Sequence, residues 1–150
     1  MNYSFDYDNT LIRYKYVRDA KGNIIDAVYD GPHRQNIDLL KRLASGGHNI
    51  YIVTARTKGI HLDVSIDKSP KPEEFIKVLD LPIKEVVYTR GNCKLPFLLE
   101  KNIREHWDDC PVQCAVIAKD GRVRPWQVPA PKNINAFLNN KIKKAILEQT

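Results

Sequence analysis

The sequence predicts an α/β fold in which a mainly parallel sheet is covered by helices on both sides. Three observations predict it. Strand-like and helix-like runs alternate along most of the chain. Ile50-Tyr51-Ile52-Val53 is uninterruptedly apolar, as a strand covered on both faces requires. Acidic residues follow the ends of two strand-like runs, where ligands gather in such sheets.

Each element follows in order. Tyr3-Ser4-Phe5-Asp6-Tyr7 alternates apolar and polar side chains, which suits a short strand stopping at acidic residues. Residues 13–17 and 24–29 are β-prone and flank the Gly22 turn, so a β-hairpin is expected across about 13–30. Pro32 is expected to open a helix with Ile37, Leu39, Leu40 and Leu43 as its apolar stripe, ended by Gly46-Gly47. Residues 48–54 form the clearest strand. Residues 57–71 are polar and irregular, and Pro72 starts a helix through Phe75, Ile76, Val78 and Leu79.

A strand over 85–89, a helix over 95–101 and a strand over 103–107 come next, the last ending at Asp108-Asp109. Its Arg104-Glu105-His106 stretch is more polar than a buried strand should be. Residues 115–118 and 123–128, around Asp120-Gly121, read as a terminal hairpin or two strands about a tight turn. A helix over 133–148 closes the chain, with Ile134, Phe137, Ile142 and Ile146 on its buried side.

The 150 residues fit one domain, 1–150, with the hairpin as a flap. With 43% hydrophobic and 28% charged residues, the composition excludes a disordered chain. No apolar run approaches the ~20 residues of a membrane span, and no basic stretch followed by an apolar one opens the chain. A cytoplasmic protein with reduced thiols is expected. Cys93, Cys110 and Cys114 form no CxxC pair, which counts against a zinc site built from them with His106. The net charge of +6 favours anionic partners.

The chemistry-bearing residues fall at strand ends. These are Asp6 and Asp8 after the first strand, Thr54 after the second, and Asp108-Asp109 after the 103–107 strand, with Lys94 at the start of a helix. Four carboxylates meeting in one crevice repel unless a cation holds them, and a hard, oxygen-seeking ion such as Mg²⁺ suits them. Lys94 would offset part of the remaining charge and bind phosphate.

Phe5-Asp6-Tyr7-Asp8-Asn9-Thr10-Leu11 resembles the DxDx[TV] first motif of the haloacid-dehalogenase superfamily. Thr54, Lys94 and Asp108-Asp109 are similar to its second, third and fourth motifs, in the family's order across residues 6 to 109. The resemblance implies a Rossmann-like three-layer α/β/α sandwich and a phosphatase. Asp6 would be the nucleophile that forms an aspartyl-phosphate, and Asp8 the acid/base group. Thr10, Thr54, Ala55, Arg56 and Lys94 would bind the phosphoryl group, with Arg56 alternatively an ordinary surface arginine. Asp6, the Asp8 backbone carbonyl, Asp108 and Asp109 would hold or orient Mg²⁺. Asn9 stands where the family commonly has glycine, and can still take a left-handed turn.

A hairpin flap without a larger cap implies an open site. That layout is similar to the phosphatase half of polynucleotide kinase-phosphatases, so the expected partner is a phosphorylated small molecule, such as a nucleotide or sugar phosphate, or a nucleic-acid end phosphate. The competing reading is a binding module that keeps the fold without turnover. Oligomeric state is not legible.

Overall fold

The computed structural model describes residues 1–58 and 69–130. The chain begins with β1 (Asn2–Phe5), β2 (Ile12–Arg18), β3 (Ile24–Pro32) and α1 (Arg34–Ser45). It continues through β4 (Asn49–Thr54), α2 (Pro72–Leu79), β5 (Ile83–Tyr88) and α3 (Leu95–Glu100). The last described elements are β6 (Ile103–Asp108), α4 (Pro111–Asp120) and β7 (Arg124–Gln127).

Five strands form one sheet in the order β5-β4-β1-β6-β7, with every neighbouring pair parallel. The chain steps outward from β1 to β4 and β5, then returns to the other side of β1 for β6 and β7. This order, compatible with a Rossmann-like fold, places the topological switch between β1 and β6. β2 and β3 pair antiparallel as the expected hairpin, separate from the main sheet.

The period-two alternation of β4 divides the core. Ile50 and Ile52 join Phe5, Ile37, Leu40 and Phe75 on the face covered by α1 and α2. Tyr51 and Val53 join Val87, Leu98, Ile103 and Ile117 on the face covered by α3 and α4. Burying a side chain of this size stabilises by about 1.5–3 kcal/mol, so both sides of β4 hold the layers together. On β6, Trp107 stacks on Phe5 at 4.7 Å and on Trp126 at 6.2 Å between ring centres. Arg124 lies 4.0 Å above the exposed Trp126 ring.

Several expectations are corrected. Residues 115–118 are not a strand: they lie within α4, which Pro111 starts and Gly121 ends in a left-handed conformation (φ 85°). Cys114 and Ile117, three apart, are buried, while β7 pairs parallel with β6 and forms no hairpin. Pro32 ends β3, and α1 begins at Arg34 with His33 as its N-cap, because the ring Nδ1 accepts from Asn36 N. The polar β6 is nonetheless an inner strand, since His106 is fully buried and hydrogen-bonded. The helix expected over 133–148, and most of 57–71, lie outside the described residues. Among those described, no helix is long and apolar enough to cross a membrane.

Candidate active site

β1 and β6 bring the acidic groups together. Asp6 N donates to Trp107 O at 2.8 Å, extending the β1–β6 ladder one residue beyond β1 and placing Asp6 beside the end of β6. The chain then turns sharply: Thr10, Leu11 and Ile12 N–H groups all converge on Tyr7 O. Asn9 takes the left-handed conformation (φ 62°) that its short polar side chain tolerates.

One carboxylate oxygen each from Asp6, Asp108 and Asp109 lie within 4.8 Å of one another, and all three residues are buried. Lys94 Nζ, itself only 3% exposed, donates to Asp6 Oδ1 at 2.8 Å and to Asp108 Oδ2 at 2.7 Å. Lys94 precedes α3, and its backbone N–H donates to Gln113 of α4, which fixes where the side chain enters. Asp108 Oδ2 also accepts from His106 Nε2 at 2.8 Å, and its Oδ1 from Cys110 N at 2.9 Å. Three of a carboxylate's roughly four acceptor positions are thus filled. His106 Nδ1 lies 2.7 Å from Ser4 Oγ on β1, so a hydrogen-bonded chain runs from Ser4 through His106, Asp108 and Lys94 to Asp6.

Charge is unevenly shared in this cluster. Burial and the Asp108 charge push the Asp6 carboxyl above the usual range, although Lys94 pulls the other way. Burial and the neighbouring Asp6 push Asp109 well above it. Burial also opposes ionisation of Asp108, but Lys94 and His106 outweigh it and hold Asp108 below the range. Burial disfavours the Lys94 charge, yet Asp108 and Asp6 more than offset that and hold the ammonium above its ordinary value. An oxygen-only set of buried carboxylates, with Lys94 as the cation touching it, is chemically matched to a hard divalent ion.

Asp8 stands apart from this cluster. Its carboxylate accepts a fork from Arg56, Nε to Oδ2 at 2.9 Å and Nη2 to Oδ1 at 2.7 Å, and the Tyr14 hydroxyl of the flap donates to Oδ1. Burial raises the Asp8 pKa, but the Arg56 charge and hydrogen bonds and the Tyr14 bond outweigh it, leaving the group below the usual range. Arg56 therefore touches a site carboxylate rather than sitting as a surface arginine. It also reaches Ser69 Oγ at 2.8 Å.

The remaining expected residues surround these two centres. Thr10 is fully buried, and its hydroxyl lies 3.4 Å from Asp6 Oδ2. Thr54, at the end of β4, accepts at Oγ1 from Arg56 N at 3.2 Å. Ala55 is half-buried, its carbonyl accepting from Gly91 N. The cysteines do not form a metal site with His106, whose two ring nitrogens are engaged elsewhere. Cys93 is exposed and Cys114 donates to Asp108 O, its thiol pushed up to about 12 mainly by burial. Sequence reasoning missed Tyr14 and Ser4. The available signal was the polarity of β6 itself, but its cause, Ser4 pairing with His106 in register, arises only in the folded sheet. Neither a protein-family model nor a curated protein matches the chain.

Proposed function

We propose that the protein is a Mg²⁺-dependent phosphomonoester hydrolase of the haloacid-dehalogenase type, with Asp6 as nucleophile. The observation that carries this reading is the buried Asp6–Asp108–Asp109 group, bridged by Lys94 at the switch between β1 and β6. Such a centre is short of positive charge, and a divalent ion together with a phosphate ester would complete it. The order of Asp6, Thr54, Lys94 and Asp108-Asp109 along the chain supports the same assignment.

Asp6, Asp109, Asp108 and the Asp8 carbonyl would hold the Mg²⁺, which when bound neutralises carboxylate and phosphate charge. An Asp6 oxygen attacks phosphorus, forming the acyl phosphate as the ester P–O bond breaks. Asp8 gives a proton to the leaving oxygen, then takes one from the water that attacks phosphorus and frees Asp6. Lys94 and the Thr10 and Thr54 hydroxyls hold the phosphoryl oxygens and the nucleophile in place.

Arg56 adds a step of preparation. While it forks onto Asp8, that carboxylate resists protonation. An incoming phosphate competes for the same guanidinium, and an Asp8 relieved of Arg56 regains its affinity for the proton that acid catalysis needs.

The test is hydrolysis of an aryl phosphate with and without Mg²⁺. Turnover should require the ion and fall by about a thousandfold or more in Asp6→Asn, the scale of losing a catalytic nucleophile. Absence of turnover by the intact protein across a broad panel of phosphate esters would replace this reading with a binding module on the same fold.

A further inference from the structure

A second polar cavity adjoins the candidate active site. It has a volume of about 650 Å³ and lies between the base of the flap and the start of α1, with Asn9, Arg13, Tyr14, His33 and Arg34 among its walls. Tyr14 belongs to both places, since it lines the cavity while its hydroxyl holds Asp8. Asn9 lies only three residues beyond Asp6, so their Cα atoms are no more than about 11 Å apart.

The cavity walls are rich in unused donors. Asn9 is 7% exposed, and its Oδ1 accepts from the Tyr16 hydroxyl. His33 accepts at Nδ1 from Asn36 N, which leaves the proton of the neutral ring on Nε2 as a donor. Arg13 and Arg34 are exposed and make no ion pair among the described residues. The one acid on the wall, Asp30, is engaged by Lys15 at 3.6 Å.

We infer that this cavity binds a second phosphate of the substrate, with Arg13 and Arg34 as its ligands. The inference rests on the phosphatase reading and narrows it to phosphomonoesters carrying another phosphate within a nucleotide's reach. Two guanidinium groups and the His33 N–H on one cavity wall match the oxygens of a phosphate, whereas a neutral sugar would leave both arginines unanswered. The second phosphate could be a terminal monoester or the diester of a nucleic-acid chain, which offer the same oxygens.

Binding is measured by calorimetry on the full chain carrying Asp6→Asn, in Mg²⁺, so that no probe is consumed. A nucleoside 3′,5′-bisphosphate should bind about tenfold or more tightly than the 5′-monophosphate, the scale of hydrogen bonds to a charged group. Adding Arg13→Gln and Arg34→Gln, both at exposed positions, should bring the two affinities to within about twofold. A 5′-phosphorylated dinucleotide that keeps the preference assigns the second phosphate to a nucleic-acid diester, and one that loses it assigns a terminal phosphate. Equal affinity for bisphosphate and monophosphate before the arginines are changed would overturn the inference, as would a preference that survives both substitutions. Aryl phosphate hydrolysis by the intact protein is followed in parallel: its failure removes the phosphatase reading without touching the cavity, and its success with equal affinities does the reverse.

Discussion

Asp6 and Asp8 are two residues apart on one turn, yet they occupy opposite electrostatic worlds. Asp6 shares a buried centre with two other carboxylates and one ammonium, and its proton affinity is raised by burial and by Asp108. Asp8 also loses solvent, but the Arg56 fork and the Tyr14 hydroxyl overcome that cost and keep it ionised. Burial alone therefore decides neither group. What separates them, among the described residues, is the nearby positive charge: Lys94 is shared between Asp6 and Asp108, whereas Arg56 forks onto Asp8 alone.

The sharpest way to break this contrast is to take away Lys94. Lys94→Met should cost about 3–5 kcal/mol in urea denaturation with chelator present, because it strands Asp6 and Asp108 in the interior. Mg²⁺ should recover part of that loss. In the unaltered protein, Mg²⁺ at a hundred times its Kd should stabilise by about 2.7 kcal/mol. That gain should vanish in Asp109→Asn and survive in Asp8→Asn. An equal response in the two variants would erase the distinction between the centres.

Asp8→Asn should itself cost about 2 kcal/mol at neutral pH, since it removes the charged acceptor from Arg56. The pH dependence has opposite signs in the two places. The folded pKa of Asp8 is lowered, so its stabilisation is complete above the ordinary carboxylate value of about 3.9 and is lost as pH falls through the folded value. Asp6 and Asp109 are raised, so the metal-free protein should lose stability as pH climbs from about 4 through their folded values, and Mg²⁺ should flatten that decline. Denaturation midpoints across pH 3–8, with chelator or Mg²⁺, read both slopes. The smallest effect belongs to Tyr14→Phe, which should cost about 1.5 kcal/mol for the bond donated to Asp8 and the one accepted from Arg56, and leave the Mg²⁺ response unchanged.

The strands that carry the site were legible because their patterns are local. An apolar run identifies β4, and β-prone stretches about Gly22 identify the flap. α4 was misread for an equally local reason. Ala115 to Ala118 contains Val116 and Ile117, which favour strands, and exposed Val112 and Val116 blur the helical stripe that Cys114 and Ile117 would otherwise reveal. The acidic residues of the site could be picked out from strand ends alone, and Lys94 was expected among them, but their other partners could not be read. Arg56 meets Asp8 across 48 positions, and Ser4 meets His106 across 102. The first meeting is created by the β1–β4 pairing and the second by the return from β5 to β6, neither of which any spacing in the chain encodes. The polarity of β6 was visible but unexplained until Ser4 and Asp108 supplied the hydrogen bonds that make a buried histidine tolerable.

The chain contains two tryptophans, and they stack on each other across β6 and β7. Trp107 directly precedes Asp108, whereas the flap hairpin carries neither ring. Tryptophan emission is consequently a one-sided witness: it reports on the β6–β7 side of the sheet and is nearly blind to the hairpin. An unfolding trace read at that wavelength alone would pass over any early loosening of β2 and β3, which a probe placed on the flap would have to reveal.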